Sequence, residues 1–235
     1  MKRGGLWILI IFILFLVGCR HDPLTRETII DWADFIKWDG VHYDRNYSGV
    51  LADESYIGEK LGTVKFKIAD NVNNPNYKSK DGDAAFHEKG TEVFAVKENP
   101  NIIAVKVSEE INGYQLYGMG EEVADRWDFK QLPIDQVRRV EIYQLYTPEG
   151  IIQRAEWKNK VEVERLIQLL TNSQDQPNFE PNTEKGDPDY YEMVFYIGES
   201  PIAYKYSLLF DGNTYYWYPL ETAILPNDIQ EFLQD

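Results

Sequence analysis

Apolar residues return at every second position along most of this chain, the rhythm of extended strands, and keep helical spacing in few places. The sharpest instance is "FIKWDGVHYDR", where Asp39 and Gly40 stand between two alternating runs. Asp-Gly accepts positive φ at both central positions of a two-residue type I′ turn, so a β-hairpin is predicted. "LGTVKFKIAD" continues the pattern, with Val64, Phe66 and Ile68 on one face and Lys65 and Lys67 on the other, as in a half-buried strand. "TEVFAV" and "NIIAVKV" are predicted to pair around "KENPN", and "NGYQLYG" adds a strand. Further on, "VRRVEIYQLY" and "IIQRAEW" flank the turn "TPEG", and "YYEMVFYI", "IAYKYSLLF" and "TYYWYPL" are separated by "GESP" and "DGN".

Helical signals are fewer. Asn159 stands three residues before Glu162, a capping box with Asn in place of Ser or Thr, and Val163, Leu166, Ile167 and Leu170 then share one helical face. "LPNDIQEFLQD" reads as a short terminal helix capped by Asn227 that buries Ile229, Phe232 and Leu233, and "ETIIDWADF" as the start of another. The stretch 69–90, containing "NVNNPNYKSKDGDAAFHEKG", is long for a loop inside a compact domain, which points to function or mobility. Pro133 and the fresh strand pattern after it place a boundary near Gln131. The expected fold class is α+β in two small domains, residues 27–131 and 132–235, mainly antiparallel β-sheet, the second with two helices packed on one face.

The first residues follow a different logic. Lys2 and Arg3 precede an unbroken apolar run, Leu6 to Val17, closed by Gly18 and Cys19. That is the layout of a secretory signal. Twelve helical residues would cover about 18 Å of a hydrocarbon core roughly 30 Å thick, so a stable transmembrane span is disfavoured. Leu16, Val17, Gly18 and Cys19 resemble the lipobox of bacterial lipoproteins. The resemblance implies a signal peptide over 1–18, diacylglycerol on the Cys19 thiol with acyl chains of the palmitate type, and a lipidated tether over 19–26. Two acyl chains hold a protein on a membrane where one is marginal. The seven residues from Arg20 to Arg26, at about 3.3 Å each, reach roughly 23 Å, which keeps the folded part close to the bilayer.

Cys19 is the only cysteine, so no disulfide can form within one molecule and the fold must stand on its core. The net charge is −15, and loss of Lys2 and Arg3 would make it more negative. Such a surface repels nucleic acid and anionic head groups, so no nucleic-acid partner is expected and the lipid does the holding. "WDGVHY", "GEKLGTVKF" and "KGTEVFAV", together with the lipobox, are similar to parts of small uncharacterised envelope lipoproteins of Gram-positive bacteria. That similarity implies a place on the outer face of the cytoplasmic membrane and carries over no catalytic or ligand-binding residue.

Chemistry-bearing motifs are mostly missing. Of three histidines, His21 lies in the tether and His42 alternates with Val41 and Tyr43 as an exposed strand residue. His87 opens "HEKGT", but position 91 is Thr where a zinc-protease helix needs its second histidine. There is no G-x-S-x-G elbow and no P-loop, and "GMGEEV" lacks the third glycine of a dinucleotide fingerprint. Asp81, Asp83 and Glu88 share one loop in a spacing unlike an EF-hand, and read as a solvated acidic segment. Tyr204, Tyr206, Tyr216 and Tyr218 are spaced to line one sheet face, either as a platform for sugars or peptides or as packing against the helix. No catalytic, cofactor-binding or metal-binding residue is assigned, no cofactor is expected, and Cys19 is the one site residue.

The expected function is a non-catalytic interaction or regulatory module, membrane-anchored through its N-terminal lipid, with an envelope protein or glycan as partner. The alternative is an envelope hydrolase or glycan-binding protein using unassigned carboxylates and aromatics. A transporter's solute receptor is disfavoured, since no alternating βαβ pattern occurs.

Overall fold

The computed structural model describes residues 30–120, 129–184, 186–218 and 223–233. The signal segment, Cys19 and the tether lie outside these residues, as does the start of "ETIIDWADF"; residues 30–34 have no regular structure, so no helix is found there. The described part is mainly antiparallel β-sheet, gathered into two eight-stranded sheets.

The first sheet uses β1 (Phe35–Trp38), β2 (Val41–Arg45), β4 (Ile57–Thr63), β5 (Phe66–Lys67), β6 (Asp83–Ala84), β7 (Glu92–Val96), β8 (Ile102–Lys106) and β9 (Tyr114–Gly118), while β3 (Gly49–Leu51) leaves it. The predicted hairpin is present: Asp39 and Gly40 have φ of 47° and 74°, and Trp38 pairs with Val41. The strand order is β4-β7-β8-β9-β2-β1-β6-β5. Its two ends, β4 and β5, belong to one stretch of chain, so the sheet closes into a barrel.

That closure corrects the reading of "LGTVKFKIAD" as one regular strand. Thr63 still pairs with Glu92 of β7 and the Val64 N–H donates to Thr91 O, but Lys65 N–H donates to Gly82 O and Phe66 pairs with Asp83 in parallel. The chain changes partner at Val64–Lys65, and the predicted apolar face divides there: Val64 packs in the barrel core, whereas Phe66 and Ile68 join Phe35 and Ala85 in a separate cluster. The stretch 69–90 is likewise more ordered than a structureless loop, because β6 within it pairs with both β1 and β5. Ile36, Tyr43, Val64, Val93, Ile103, Val105 and Tyr117 fill the barrel.

The second sheet comprises β10 (Val137–Thr147), β11 (Gly150–Trp157), β12 (Gln174–Asp175), β13 (Asp189–Ile197), β14 (Ile202–Phe210), β15 (Tyr215–Tyr218) and β16 (Ala223–Leu225), in the order β11-β10-β13-β14-β15-β16-β12, with β3 also paired to β14. Helix α1 (Lys160–Thr171) starts where predicted, with Asn159 Oδ1 accepting from the Val161 N–H at 2.9 Å. Its Val163, Leu166, Ile167 and Leu170 share one apolar cluster with Val140, Met193, Phe195 and Trp217. The tail differs from expectation. Asn227–Phe232 form a 3-10 helix preceded by Pro226, and Asn227 makes no capping bond, although Ile229, Phe232 and Leu233 are buried as predicted.

The two sheets meet through β3. Gly49–Leu51 pair with Tyr204, Ala203 and Ile202, and Leu51 and Ile202 pack with Ile102, Ala104 and Leu116 on the outside of the barrel. Strand β8 therefore buries Ile103 and Val105 inward and Ile102 and Ala104 outward, which explains why "NIIAVKV" is apolar at nearly every position.

Candidate functional site

Two polar groupings are built on the barrel strands. In the first, Arg45 falls on the inward side of β2, two residues beyond Tyr43, and is buried. A guanidinium in that position needs partners. Its Nη2 donates to Glu110 Oε1 at 3.2 Å, the group lies 5.6 Å from the centre of the Tyr117 ring, and Glu110 also accepts from Gln115 at 2.5 Å. The Tyr117 hydroxyl in turn stands 3.0 Å from Asp34 Oδ1 and 2.7 Å from His87 Nε2. A phenol has one proton, so when it donates to Asp34 the His87 Nε2 carries its own hydrogen and donates to the phenol oxygen.

Burial sets the titration of these groups. It pushes the Asp34 carboxyl up, outweighing the hydrogen bond from Tyr117 and the field of Arg45, and pushes the Tyr117 phenol up as well. It holds the His87 imidazole down to about 4 from 6.5, with Arg45 adding to the effect. Across the sheet junction Glu192 is raised by burial although Lys205 Nζ lies 3.3 Å away.

A pH dependence follows from the depressed imidazole. Above about pH 6.5 His87 is neutral folded and unfolded. As pH falls toward about 4 only the unfolded chain gains the proton, so stability is lost across that window. The loss amounts to about 3 kcal/mol at most, at 1.36 kcal/mol per unit. Asp34 and Glu192 act with the opposite sign, since their raised values make the folded chain take up protons first as pH falls. Urea unfolding of wild type and His87→Gln across this window should show a smaller acid loss in the variant. Identical pH profiles would remove His87 from the account.

The second grouping is an open cleft of about 600 Å³ at the barrel mouth, with Trp38, Tyr43 and Ile103 lining it and Asp39, Lys65 and Asp81 around it. Asp81 Oδ1 accepts from the Gly40 N–H at 2.9 Å, which ties the loop to the hairpin turn, and its Oδ2 lies 3.8 Å from Lys65 Nζ. The Trp38 indole packs against Gly62, where a Cβ would come within 2.9 Å of the ring.

The residues singled out in the sequence fall as follows. His42 is exposed, stacked on Phe35 at 4.3 Å and bonded to Asp44, as an ordinary strand residue. His87 belongs to the Tyr117 network. The acidic loop does not converge: Asp83 is buried and accepts from Tyr77 Oη and the Lys80 N–H, Glu88 pairs with Lys67, and Asp81 turns to the mouth. Among the described residues, no group of three or more His, Cys, Asp or Glu side chains is gathered to hold a metal.

The four tyrosines do not share a face. Tyr206 packs with Trp217 in the helix-side core, whereas Tyr218 pairs with Ser207 and so points to the opposite side with Tyr216. On that side Tyr218 meets Tyr190 edge to face at 5.5 Å, and Tyr190 meets Tyr146 at 5.4 Å. Arg45 and Tyr117 escaped sequence reasoning. The available signal was the alternation itself, which sets Arg45 in register with inward-facing Tyr43 and leaves a charge that must find partners.

No protein-family model matches the chain, and no curated protein and no solved structure matches it significantly. Among the described residues no helix is long and apolar enough to cross a membrane.

Proposed function

We propose that the protein is a non-catalytic binding module on the outer face of a bacterial cytoplasmic membrane, lipid-anchored through Cys19 at the end of "LVGC", with an envelope protein or glycan as its partner. In the same proposal residues 27–131 and 132–235 act as two units, the second carrying its helices on one face of its sheet. The separate barrel and helix-side cores support two units; β3 ties them together, and Phe129, just before the proposed boundary, packs in the second core.

The observation that carries the binding reading is where the buried carboxylates are used. Glu141 accepts from the Tyr143 and Tyr196 hydroxyls, Glu192 faces Lys205, Asp83 accepts from Tyr77 and Lys80, and Asp211 accepts three backbone N–H groups. Carboxylates held this way stabilise the fold and are poorly placed to transfer protons to a substrate. The surfaces left open are aromatic: the barrel mouth, and the array of Tyr146, Tyr190 and Tyr218.

One observation favours the hydrolase alternative. Asp39 and Asp81 line the same cleft beside Trp38, and paired carboxyl groups beside an aromatic ring are what glycoside cleavage uses. Both are exposed, and Asp81 is committed to Gly40.

The test is a crosslinking pull-down from intact envelopes, wild type beside Cys19→Ala, with mass spectrometry of the N-terminal peptide. The expected result is diacylated Cys19 and a saturable partner that is lost from the membrane fraction together with the anchor. An unmodified Cys19 would overturn the location. Turnover of an envelope polymer that disappears in Asp81→Asn would replace the binding reading with the hydrolase.

A further inference from the structure

We infer that the barrel mouth is a saccharide site, taking a short uncharged oligosaccharide. The inference deepens the binding-module reading and rests on it. The cleft, at about 600 Å³, falls within the range of about 300–1,000 Å³ usual for small-molecule sites. A peptide that binds by adding a strand uses main-chain groups along a sheet edge, whereas this cleft is lined by residues such as Trp38, Tyr43 and Ile103 that offer a ligand side chains.

The chemistry of the lining selects among the remaining ligands. The Trp38 indole is held against Gly62, where no side chain fits, and presents a rigid apolar surface at low entropic cost. Tyr43 and Ile103 continue that surface. Around it stand two carboxylates and one ammonium. Asp81 spends Oδ1 on the Gly40 N–H and holds Oδ2 3.8 Å from Lys65 Nζ, Lys65 Nζ donates to the Asp81 main-chain oxygen at 3.2 Å, and Asp39 sits at the turn itself, so a ligand hydroxyl meets an exposed acceptor and donor side by side.

An apolar ring face with charged acceptors and a donor at its border suits a pyranose, whose C–H face is apolar and whose hydroxyls both donate and accept. The two carboxylates outnumber the ammonium, and the whole chain carries −15, so phosphorylated, nucleotide and uronate ligands are repelled.

The experiment is calorimetric titration of the full lipid-anchored protein in a detergent without a sugar head group. Chitotetraose, cellotetraose and maltotetraose are the neutral probes and tetragalacturonate the anionic control. At least one neutral probe should bind, the control should not, and Trp38→Ala and Asp81→Asn should each weaken binding about tenfold or more. Asp81→Asn keeps an acceptor for Gly40, so it tests the site even where Trp38→Ala compromises folding; Val161→Ser, exposed in the first turn of α1, should bind as wild type does.

Absence of binding by every neutral probe, equal binding of tetragalacturonate, or binding indifferent to Asp81→Asn would each overturn the assignment. If the envelope pull-down still recovers a protein partner in that case, the saccharide site fails and the binding module stands. If it recovers nothing, both fail.

Discussion

Arg45→Met is expected to destabilise the protein by about 3 kcal/mol, at the lower end of the cost of removing one partner from a buried ion pair. The guanidinium is 6% exposed and its partner Glu110 26%, so Glu110 can recover some hydration while Gln115 continues to donate to it. The loss is larger than a surface pair would give, because Arg45 also lies against the Tyr117 and Tyr47 rings and lowers the cost of burying Asp34 and Glu192. Chemical denaturation of Arg45→Met, Glu110→Gln and the double variant separates these contributions. The cost of losing Arg45 should shrink in the Glu110→Gln background, where less negative charge is left uncompensated. A cost below about 1 kcal/mol for the single variant would place Arg45 among ordinary surface charges.

Phe195→Ala is expected to cost about 3 to 5 kcal/mol, a large share of the roughly 5 to 15 kcal/mol that holds a typical domain together. The ring is fully buried at the centre of the helix-side core, 5.4 Å from Phe129 and 5.8 Å from Tyr206. These aromatic neighbours are fixed by one another: Phe129 also stacks on Trp217 at 5.4 Å, so little can move to close the cavity. Tyr218→Ala, half exposed at the end of β15 in the same sheet, should change stability by only about 0.5 kcal/mol. Equal denaturation midpoints for these two variants would contradict the packing described for the second sheet.

Local features of the fold were legible in the chain and distant ones were not. Asp39-Gly40 specifies its own turn through the φ values its residues tolerate, and Asn159 specifies a helix start by reaching the Val161 N–H two residues on. The helical face of Val163, Leu166, Ile167 and Leu170 is legible for the same reason. At the other extreme, β12 and β16 are two and three residues long, too short to show a period, and exist because neighbouring strands offer them partners. The tyrosines show the limit of alternation. It groups Tyr204 with Tyr206 and Tyr216 with Tyr218, but which face each pair takes depends on the register of β14 with β15.

The candidate sites follow the same division. The aromatic and acidic residues at the barrel mouth were visible one by one, whereas their meeting was not, since Trp38, Gly62 and Asp81 come from three separate segments. The Arg45 network likewise joins Asp34, His87, Glu110 and Tyr117 across the barrel.

What the sequence by itself determined is the strand rhythm, the Asp-Gly hairpin, the capped helix and the absence of any disulfide within one molecule, all properties of residues a few positions apart or of composition. What only the tertiary structure decided is that residues 57–67 close the first sheet by pairing on both sides, that β3 joins the second sheet, and that the mouth and the buried charges assemble. Those choices turn on how much surface distant segments bury together. The entropy of closing the intervening chain grows only slowly with its length, so spacing along the sequence does little to rank them.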